Sequence, residues 1–196
     1  MSTPSHPGDP IALFQAAFEI AKAREPFEAN AMSLATVDER GRPSVRVVLL
    51  KGVDAQGFVF FTNYQSRKAR ELDGQREAAL AFHWPKGEEQ VRVEGVVGRV
   101  SAEESDAYYA TRPRLSQLGA WASDQSQPGT TAALAARIAE LEARYPSVVP
   151  RPPHWGGYRL VPRAIELWYG RPNRLHERHR YEREAEGPWS HTSLFP

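Results

Sequence analysis

Apolar positions recur along this chain in two rhythms, one of about three and a half residues and one of two, and they alternate in blocks. Asp9-Pro10 offers an N-cap and a proline for the first helical turn, and Ile11, Phe14, Phe18 and Ala21 follow at helical spacing, predicting a helix of about three turns that ends before Pro26. Strand patterns follow at Met32–Val37 and Ser44–Lys51, joined by a turn at Asp38-Glu-Arg-Gly41, and then at Phe58–Thr62 after the turn Asp54-Ala-Gln-Gly57. Ser66–Leu72 reads as a short helix, Ala78–Trp84 as a fourth strand and Gln90–Val100 as a fifth. In the fifth, Val91, Val93 and Val97 alternate with Arg92, Glu94 and Gly98, the mark of an antiparallel sheet with one wet face.

Helices then interrupt the strands. Ser101 and Glu104 fit a capping box for a helix running to about Thr111, and Pro113 separates it from a shorter piece at Leu115–Trp121. After the polar loop Asp124–Gly129, Thr131 is expected to cap a helix whose Leu134, Ile138, Leu141 and Tyr145 form one stripe. Pro146 to Pro153 reads as a stiff crossing. Late strands are predicted at Tyr158–Val161, Ala164–Tyr169 and Leu175–Tyr181, with an edge strand at Trp189–Leu194. Seven or eight strands with helices inserted after the fifth predict a mainly β fold closed into a small barrel, one domain over residues 1–196 with a flexible tail at 1–8.

Composition narrows the function classes. With 25 basic and 24 acidic residues the net charge is +1, which gives no support to nucleic-acid binding. No apolar run is long enough to span a membrane, and the N-terminus lacks the features of a secretory signal, so the cytoplasm is the expected location. Cysteine is absent, which removes thiol and disulfide chemistry. His154, His176, His179 and His191 are scattered among unrelated neighbours, so no metal site is expected, and no GxGxxG fingerprint supports a Rossmann cofactor fold.

The candidate chemistry is anionic recognition. Arg46-Val-Val-Leu-Leu-Lys51 places four aliphatic residues between two cations, and Ser66-Arg67-Lys68 puts two more cations at a helix start, where the dipole disfavours them unless a phosphate shares the site. Arg46, Arg67 and Lys68 are close enough in sequence to converge on one such group; a solvated basic face is the competing reading.

Several segments in order resemble the pyridoxine (pyridoxamine) 5′-phosphate oxidases, flavoproteins of the FMN-binding split-barrel class. They are Arg46–Lys51, Thr62-Asn63, Ser66-Arg-Lys68, Gln90-Val91, Arg112-Pro-Arg114, Ser116-Gln-Leu-Gly-Ala-Trp121, Trp155-Gly-Gly157, Glu166-Leu-Trp168 and Arg174-Leu-His-Glu-Arg178. The resemblance runs from about Phe27 to Pro196. It implies a homodimer with FMN at the subunit interface, each site drawing on both chains. Positions matching the family's flavin contacts are Arg46, Val47, Val48, Leu49, Leu50, Lys51, Phe61, Thr62, Arg67, Lys68, Gln90, Gln125, Ser126, Trp168 and Arg178. Those matching its substrate contacts are Lys51, Tyr108, Arg112, Ser116, Arg174 and His176, with Lys51, Arg174 and His176 carrying the chemistry. The implied reaction takes a hydride from C4′ of pyridoxamine or pyridoxine 5′-phosphate to flavin N5, and oxygen then returns the flavin to its oxidised state with release of hydrogen peroxide.

Residue chemistry is compatible with these roles. Gln90 and Gln125 each carry a donor and an acceptor for a flavin's pyrimidine edge, and Lys51 could stabilise the charge of reduced flavin. Trp168 could pack near the ring, a plain core tryptophan being nearly as good a reading. Tyr108, Arg112 and Ser116 are spaced by four, although Pro113 argues against one continuous helix. Arg174, His176 and Arg178 alternate, so a strand would aim all three to one side. Met1–Asp9 departs from the family in lacking the arginine and tyrosine of a closing segment. Two alternatives stay open: a related flavin oxidase of phenazine synthesis, and a non-catalytic FMN- or haem-binding split barrel.

Overall fold

The computed structural model describes residues 8–185 and 187–196, so all of the expected 1–8 tail except Gly8 lies outside the described residues. The N-terminal helix α1 (Pro10–Arg24) starts where expected, Asp9 accepting from the Ile11 amide, and runs about a turn longer than its apolar spacing predicts. The strands are β1 (Ala31–Val37), β2 (Pro43–Leu49), β3 (Gly52–Asp54), β4 (Gly57–Asn63), β5 (Glu77–Trp84), β6 (Glu89–Arg99), β7 (Trp155–Tyr169), β8 (Glu177–Glu182) and β9 (Ser190–Leu194). Helix α2 (Arg67–Gly74) lies between β4 and β5. The helices α3 (Ala102–Ala110), α4 (Arg114–Ala122) and α5 (Thr131–Arg144) lie between β6 and β7. No helix among the described residues is long and apolar enough to cross a membrane.

Strand order β2-β1-β5-β6-β7-β4-β3 explains the curvature. The two outermost strands, β2 and β3, are consecutive in the chain and joined by Leu50 and Lys51 alone, so the sheet must curl until its edges nearly meet. This corrects the expected Ser44–Lys51 strand: pairing with β1 stops at Leu49, the Leu50 amide donates to the Asn30 carbonyl, and the Lys51 amide crosses to the Val59 carbonyl. Gly57, at φ 131°, lies so close to β7 that a Cβ there would stand 2.0 Å from the Leu160 carbonyl oxygen.

The two late strands predicted at 158–161 and 164–169 are one strand, β7, of 15 residues. Its N-terminal half pairs with β4 and its C-terminal half with β8, while β6 follows it from Tyr158 to Tyr169. The register with β6 slips at Glu94/Gly95, opposite Pro162 and Arg163, and there β7 exchanges one partner for the other. Proline has no ladder N–H to give, and the extra residue bends the strand. Patterning alone reads that irregularity as an end. The helix expected from Thr131 is capped one residue earlier, by Thr130.

Inside the barrel, the Phe14 ring packs 4.8 Å from Phe58, 4.9 Å from Phe82 and 5.9 Å from Trp84. All four are almost wholly buried, and the Trp84 indole donates to the Ala29 carbonyl. Truncation of Phe14 leaves a void that neighbouring aromatic rings cannot fill, so Phe14→Ala is expected to lower unfolding free energy by about 3–5 kcal/mol. A urea titration with unchanged slope and a lower midpoint would be the signature.

Candidate functional site

A cavity of about 670 Å³ opens between β2, β4, α3 and α4. Val47, Val48 and Leu49 form one wall, and the Leu50 side chain, expected beside them, turns instead into the core, 4% exposed. Strand alternation accounts for part of this, because β2 is an edge strand whose Val45 and Val47 remain 68% and 65% exposed. The opposite wall is aromatic: Phe61, Tyr108 and Trp155 lie nearly parallel, Phe61 being 4.0 Å from Tyr108 and 5.5 Å from Trp155. Trp155 is a lining residue missing from the sequence-derived set, although the two glycines after it mark the spot. A Cβ on Gly157 would stand 2.8 Å from Phe61 and 2.6 Å from Val100, so this strand can approach the wall only without a side chain. Gly157→Ala is therefore expected to tilt Phe61 into the cavity and weaken ligand binding, which a crystal structure of the variant would display directly.

Among the described residues, three cations line the cavity, Lys51, Lys68 and Arg112, and no aspartate or glutamate does. Lys51 is exposed at the barrel's closing junction, and its ammonium has no ion-pair partner among the described residues. Lys68 reaches Thr62 Oγ1 at 3.0 Å, and Ser66 Oγ and Gln125 Oε1 at 3.3 Å. Burial, reinforced by Arg46 and opposed by Glu71, lowers its pKa to about 8. Arg112 lies 4.5 Å over the Trp155 ring, and its Nη1 is buried without a hydrogen-bond acceptor. Burial pushes its pKa down while Tyr108 and Tyr109 hold it up. A buried guanidinium nitrogen in this position asks for an anionic oxygen.

The predicted break at Pro113 is present, since α3 ends at Ala110 and α4 begins at Arg114, yet Tyr108, Arg112 and Ser116 all face the cavity. Thr62 and Gln125 face it too, joined by a 3.2 Å hydrogen bond. Asn63, which also lines it, fastens the loop by donating to the Ser123 carbonyl.

Arg46, Arg67 and Lys68 do gather, but around a carboxylate that the sequence reading did not weigh. Buried Glu71 accepts from Thr36 Oγ1 at 2.5 Å, Ser44 Oγ at 2.8 Å, Arg46 Nη2 at 3.0 Å and Arg67 Nε at 2.7 Å. Its clue was the four-residue spacing from Arg67 on α2. Neither Arg46 nor Arg67 lines the cavity in this chain. The helix-start amides expected to share a phosphate are partly engaged: the Arg67 amide donates to Ser126 Oγ, and the Ala69 amide to Ser66 Oγ. Ser126 thus serves the helix end rather than the cavity wall.

Burial pushes the Glu71 carboxyl up, and the four side-chain donors more than offset it, giving a pKa of about 2. A carboxyl whose pKa is depressed on folding stabilises the fold above its unfolded value near 4.5, and that contribution is lost as pH falls towards 2. Acid titration of Glu71→Gln is accordingly expected to show a smaller stability loss between about pH 4.5 and 2 than the parent protein.

A second group of predicted residues lies elsewhere on the sheet. Gln90 stands opposite Trp168, which stands opposite Arg178 across β7 and β8. The His176 ring is 4.5 Å from Trp168, and its Nδ1 accepts the Arg171 amide at 3.2 Å, which leaves the neutral ring's proton on Nε2. Arg178 Nε donates to buried Glu166 at 2.8 Å, and Arg92 pairs with the same carboxylate. Burial raises the Glu166 pKa and these guanidiniums more than reverse it, leaving it low.

The expected alternation of Arg174, His176 and Arg178 along one strand does not hold, because β8 begins only at Glu177. Pro172 opens a tight turn with Asn173 and Arg174 at φ 59° and 61°, so Arg174 sits exposed on that turn. Gly157 and Trp168 are separated by eleven residues of β7, roughly 35 Å along the strand at about 3.3 Å per residue. Within one chain, the Trp168 group and the cavity belong to opposite ends of that strand.

A profile of the family described as Pyridoxamine 5′-phosphate oxidase matches residues 19–145, and one described as Pyridoxine 5′-phosphate oxidase C-terminal dimerisation region matches residues 155–196. A pyridoxine/pyridoxamine 5′-phosphate oxidase from Bordetella avium is 55% identical over 95% of this chain and 89% of its own length. One from Rubrobacter xylanophilus is 56% identical over 96% of this chain and 87% of its own. Among solved structures, PhzG from Burkholderia lata, crystallised with tetrahydrophenazine-1-carboxylic acid, superimposes with a TM-score of 0.94 at 34% identity, covering 100% of this chain and 98% of that one. An FMN-binding, pyridoxamine 5′-phosphate oxidase-related protein from Nostoc punctiforme shares the fold at a TM-score of 0.77 and 21% identity, each chain covered completely.

Proposed function

Because the chain belongs to the pyridoxamine 5′-phosphate oxidase family, we propose that it is an FMN-dependent oxidase converting pyridoxamine or pyridoxine 5′-phosphate to pyridoxal 5′-phosphate. The observation that carries this reading is the cavity itself, lined among the described residues by three cations, no carboxylate and a flat aromatic wall, a donor set suited to two phosphorylated ring systems. Bound FMN would supply the hydride acceptor for C4′ and a route for the electrons to oxygen, releasing hydrogen peroxide.

Lys68, with Thr62 and Ser66 beside it, is assigned to the flavin phosphate, and Gln125 to the polar edge of the ring. Lys51, the one cation at the closing junction, is assigned to stabilising negative charge as the flavin is reduced. Arg112, Ser116 and Tyr108 are assigned to the substrate phosphate, Arg112 through its unpaired Nη1. Fixing that phosphate lets binding energy remote from C4′ align the reacting carbon.

Gln90, Trp168 and Arg178, with Arg174 and His176, are assigned to the cavity of a second copy, making the working unit a homodimer. This assignment rests on the length of β7 and on the match of residues 155–196 to a dimerisation region. His176, held by the Arg171 amide, would present Nε2 to the substrate, and Arg174 would orient the substrate's exposed face.

The purified protein is expected to be yellow and, without oxygen, to lose its flavin absorbance on addition of pyridoxamine or pyridoxine 5′-phosphate, regaining it when air is admitted. A colourless protein, or a yellow one whose spectrum neither substrate alters, would overturn the proposal. The 34% identity to PhzG favours one rival, a dihydrophenazine carboxylate as reductant, and bleaching by that compound alone would decide for it.

A further inference from the structure

Glu71 is the only carboxylate in contact with the cations at the Lys68 end of the cavity, among the described residues. It is 7% exposed, and each of its oxygens is committed. Oε2 takes Thr36, Ser44 and Arg46, and Oε1 takes Arg67. The two hydroxyls are relays, since Thr36 Oγ1 also accepts Arg46 Nη1 at 2.5 Å and Ser44 Oγ accepts Arg46 Nη2 at 2.6 Å. Arg46 donates in addition to the Leu34 carbonyl, so its guanidinium is held from four directions. Pairing of this kind offsets the cost of burying a carboxylate but adds little net stability over apolar packing, so a role in placing its partners is the reading to test.

We propose that Glu71 is a positioning residue, holding Arg46 and Arg67 beside the cavity wall that Lys68 occupies, so that their charge adds to that of Lys68 and this end is preset for a phosphate dianion. Three cations against one carboxylate leave a local charge of two, the match for a fully ionised phosphate monoester. The inference rests on the assignment of the flavin phosphate to this end. It adds that the cradle is built before the ligand arrives and that its charge is trimmed by an internal acid.

Groups facing the Lys68 ammonium are Arg46 from β2, Glu71 from its own helix, Ser66 at that helix's start, Thr62 from β4 and Gln125 from the loop after α4. Of these, Glu71 is the one anion, and its charge favours the protonated amine against burial and Arg46. Wild-type affinity for FMN is therefore expected to be high below about pH 8 and to fall as pH rises through it, because Lys68 then loses its charge. The phosphate's own ionisation, near pH 6, lies below this window.

The test is FMN release from the full-length protein, followed by flavin fluorescence on dilution between pH 7 and 9, for wild type and Glu71→Gln. The variant is expected to bind FMN roughly tenfold to a hundredfold more weakly, with its break shifted to lower pH, while riboflavin, which has no phosphate, binds both proteins alike. Equal weakening for FMN and riboflavin with an unmoved break would mean that Glu71 merely supports the fold, and overturns the inference. Unchanged FMN affinity overturns it as well. Failure of wild type to prefer FMN over riboflavin would instead sink the flavin assignment itself. Should Glu71→Gln not fold, Glu71→Asp keeps the charge but shortens the reach, and is expected to weaken FMN while leaving the break in place; wild-type affinity in that variant overturns the inference.

Discussion

Arg112→Met is expected to raise the KM for pyridoxamine 5′-phosphate about a hundredfold, with FMN affinity within about twofold of wild type. Each hydrogen bond from a guanidinium to a charged oxygen contributes roughly 1.5–3 kcal/mol, and a planar fork can supply two to one phosphate. Arg112 is poised for this: it is stacked on Trp155, carries a buried nitrogen without an acceptor, and pairs with no acid among the described residues. Methionine keeps much of the apolar stem over the indole and removes only the charge and donors. Anaerobic reduction by unphosphorylated pyridoxamine serves as the internal control, since that substrate has nothing for Arg112 to hold. An unchanged KM for the phosphorylated substrate would remove Arg112 from the binding set.

A second large effect is expected from mixing two impaired proteins, assayed at a substrate concentration well below the raised KM, where each alone is nearly silent. Arg112→Met damages the cavity, and the double variant Arg174→Ala, His176→Ala damages the cluster at the far end of β7. If each cavity is completed by the other copy, a hybrid dimer has one site with both defects and one site with neither. Random assembly makes half the dimers hybrid, so activity is expected to recover to about a quarter of wild type after co-expression. Recovery no greater than the sum of the two separate proteins would show that each chain works with its own residues.

Local rules made most of the architecture legible. The Asp9 cap, the Ser66 cap, the Ser101 cap and the interruption at Pro113 are all where their side chains put them, because capping and proline sterics act over a few residues. Long-range pairing was not legible in the same way. β3 is three residues long, too short for any alternation to register, and β7 was read as two strands because its bulge interrupts the period. The turn at Asn173 and Arg174 was invisible because two successive left-handed residues without glycine run against local preference.

The site was legible as an inventory more than as an arrangement. Lys51, Lys68, Tyr108, Arg112 and Ser116 meet in one cavity. Arg46 and Arg67 were read as converging on a phosphate, and the buried carboxylate they pair with was missed because a charge pattern on one segment does not disclose an acid brought to it by another. Trp155 escaped for a related reason: its importance comes from lying parallel to Phe61 and Tyr108, which are brought beside it by β4 and α3.

The unbroken course of β7 past its irregularity has a mechanical consequence for an enzyme built from two copies. One rod carries the aromatic backing of its own pocket at one tip and, at the other, the Trp168 and His176 pair that the proposed dimer assigns to its neighbour's. The distance between paired reaction centres is then set by a count of residues within a polypeptide, and loosening the contact between copies cannot retune it. Shortening that rod by a single residue would invert which side chains look inward beyond the deletion, and would spoil both centres together.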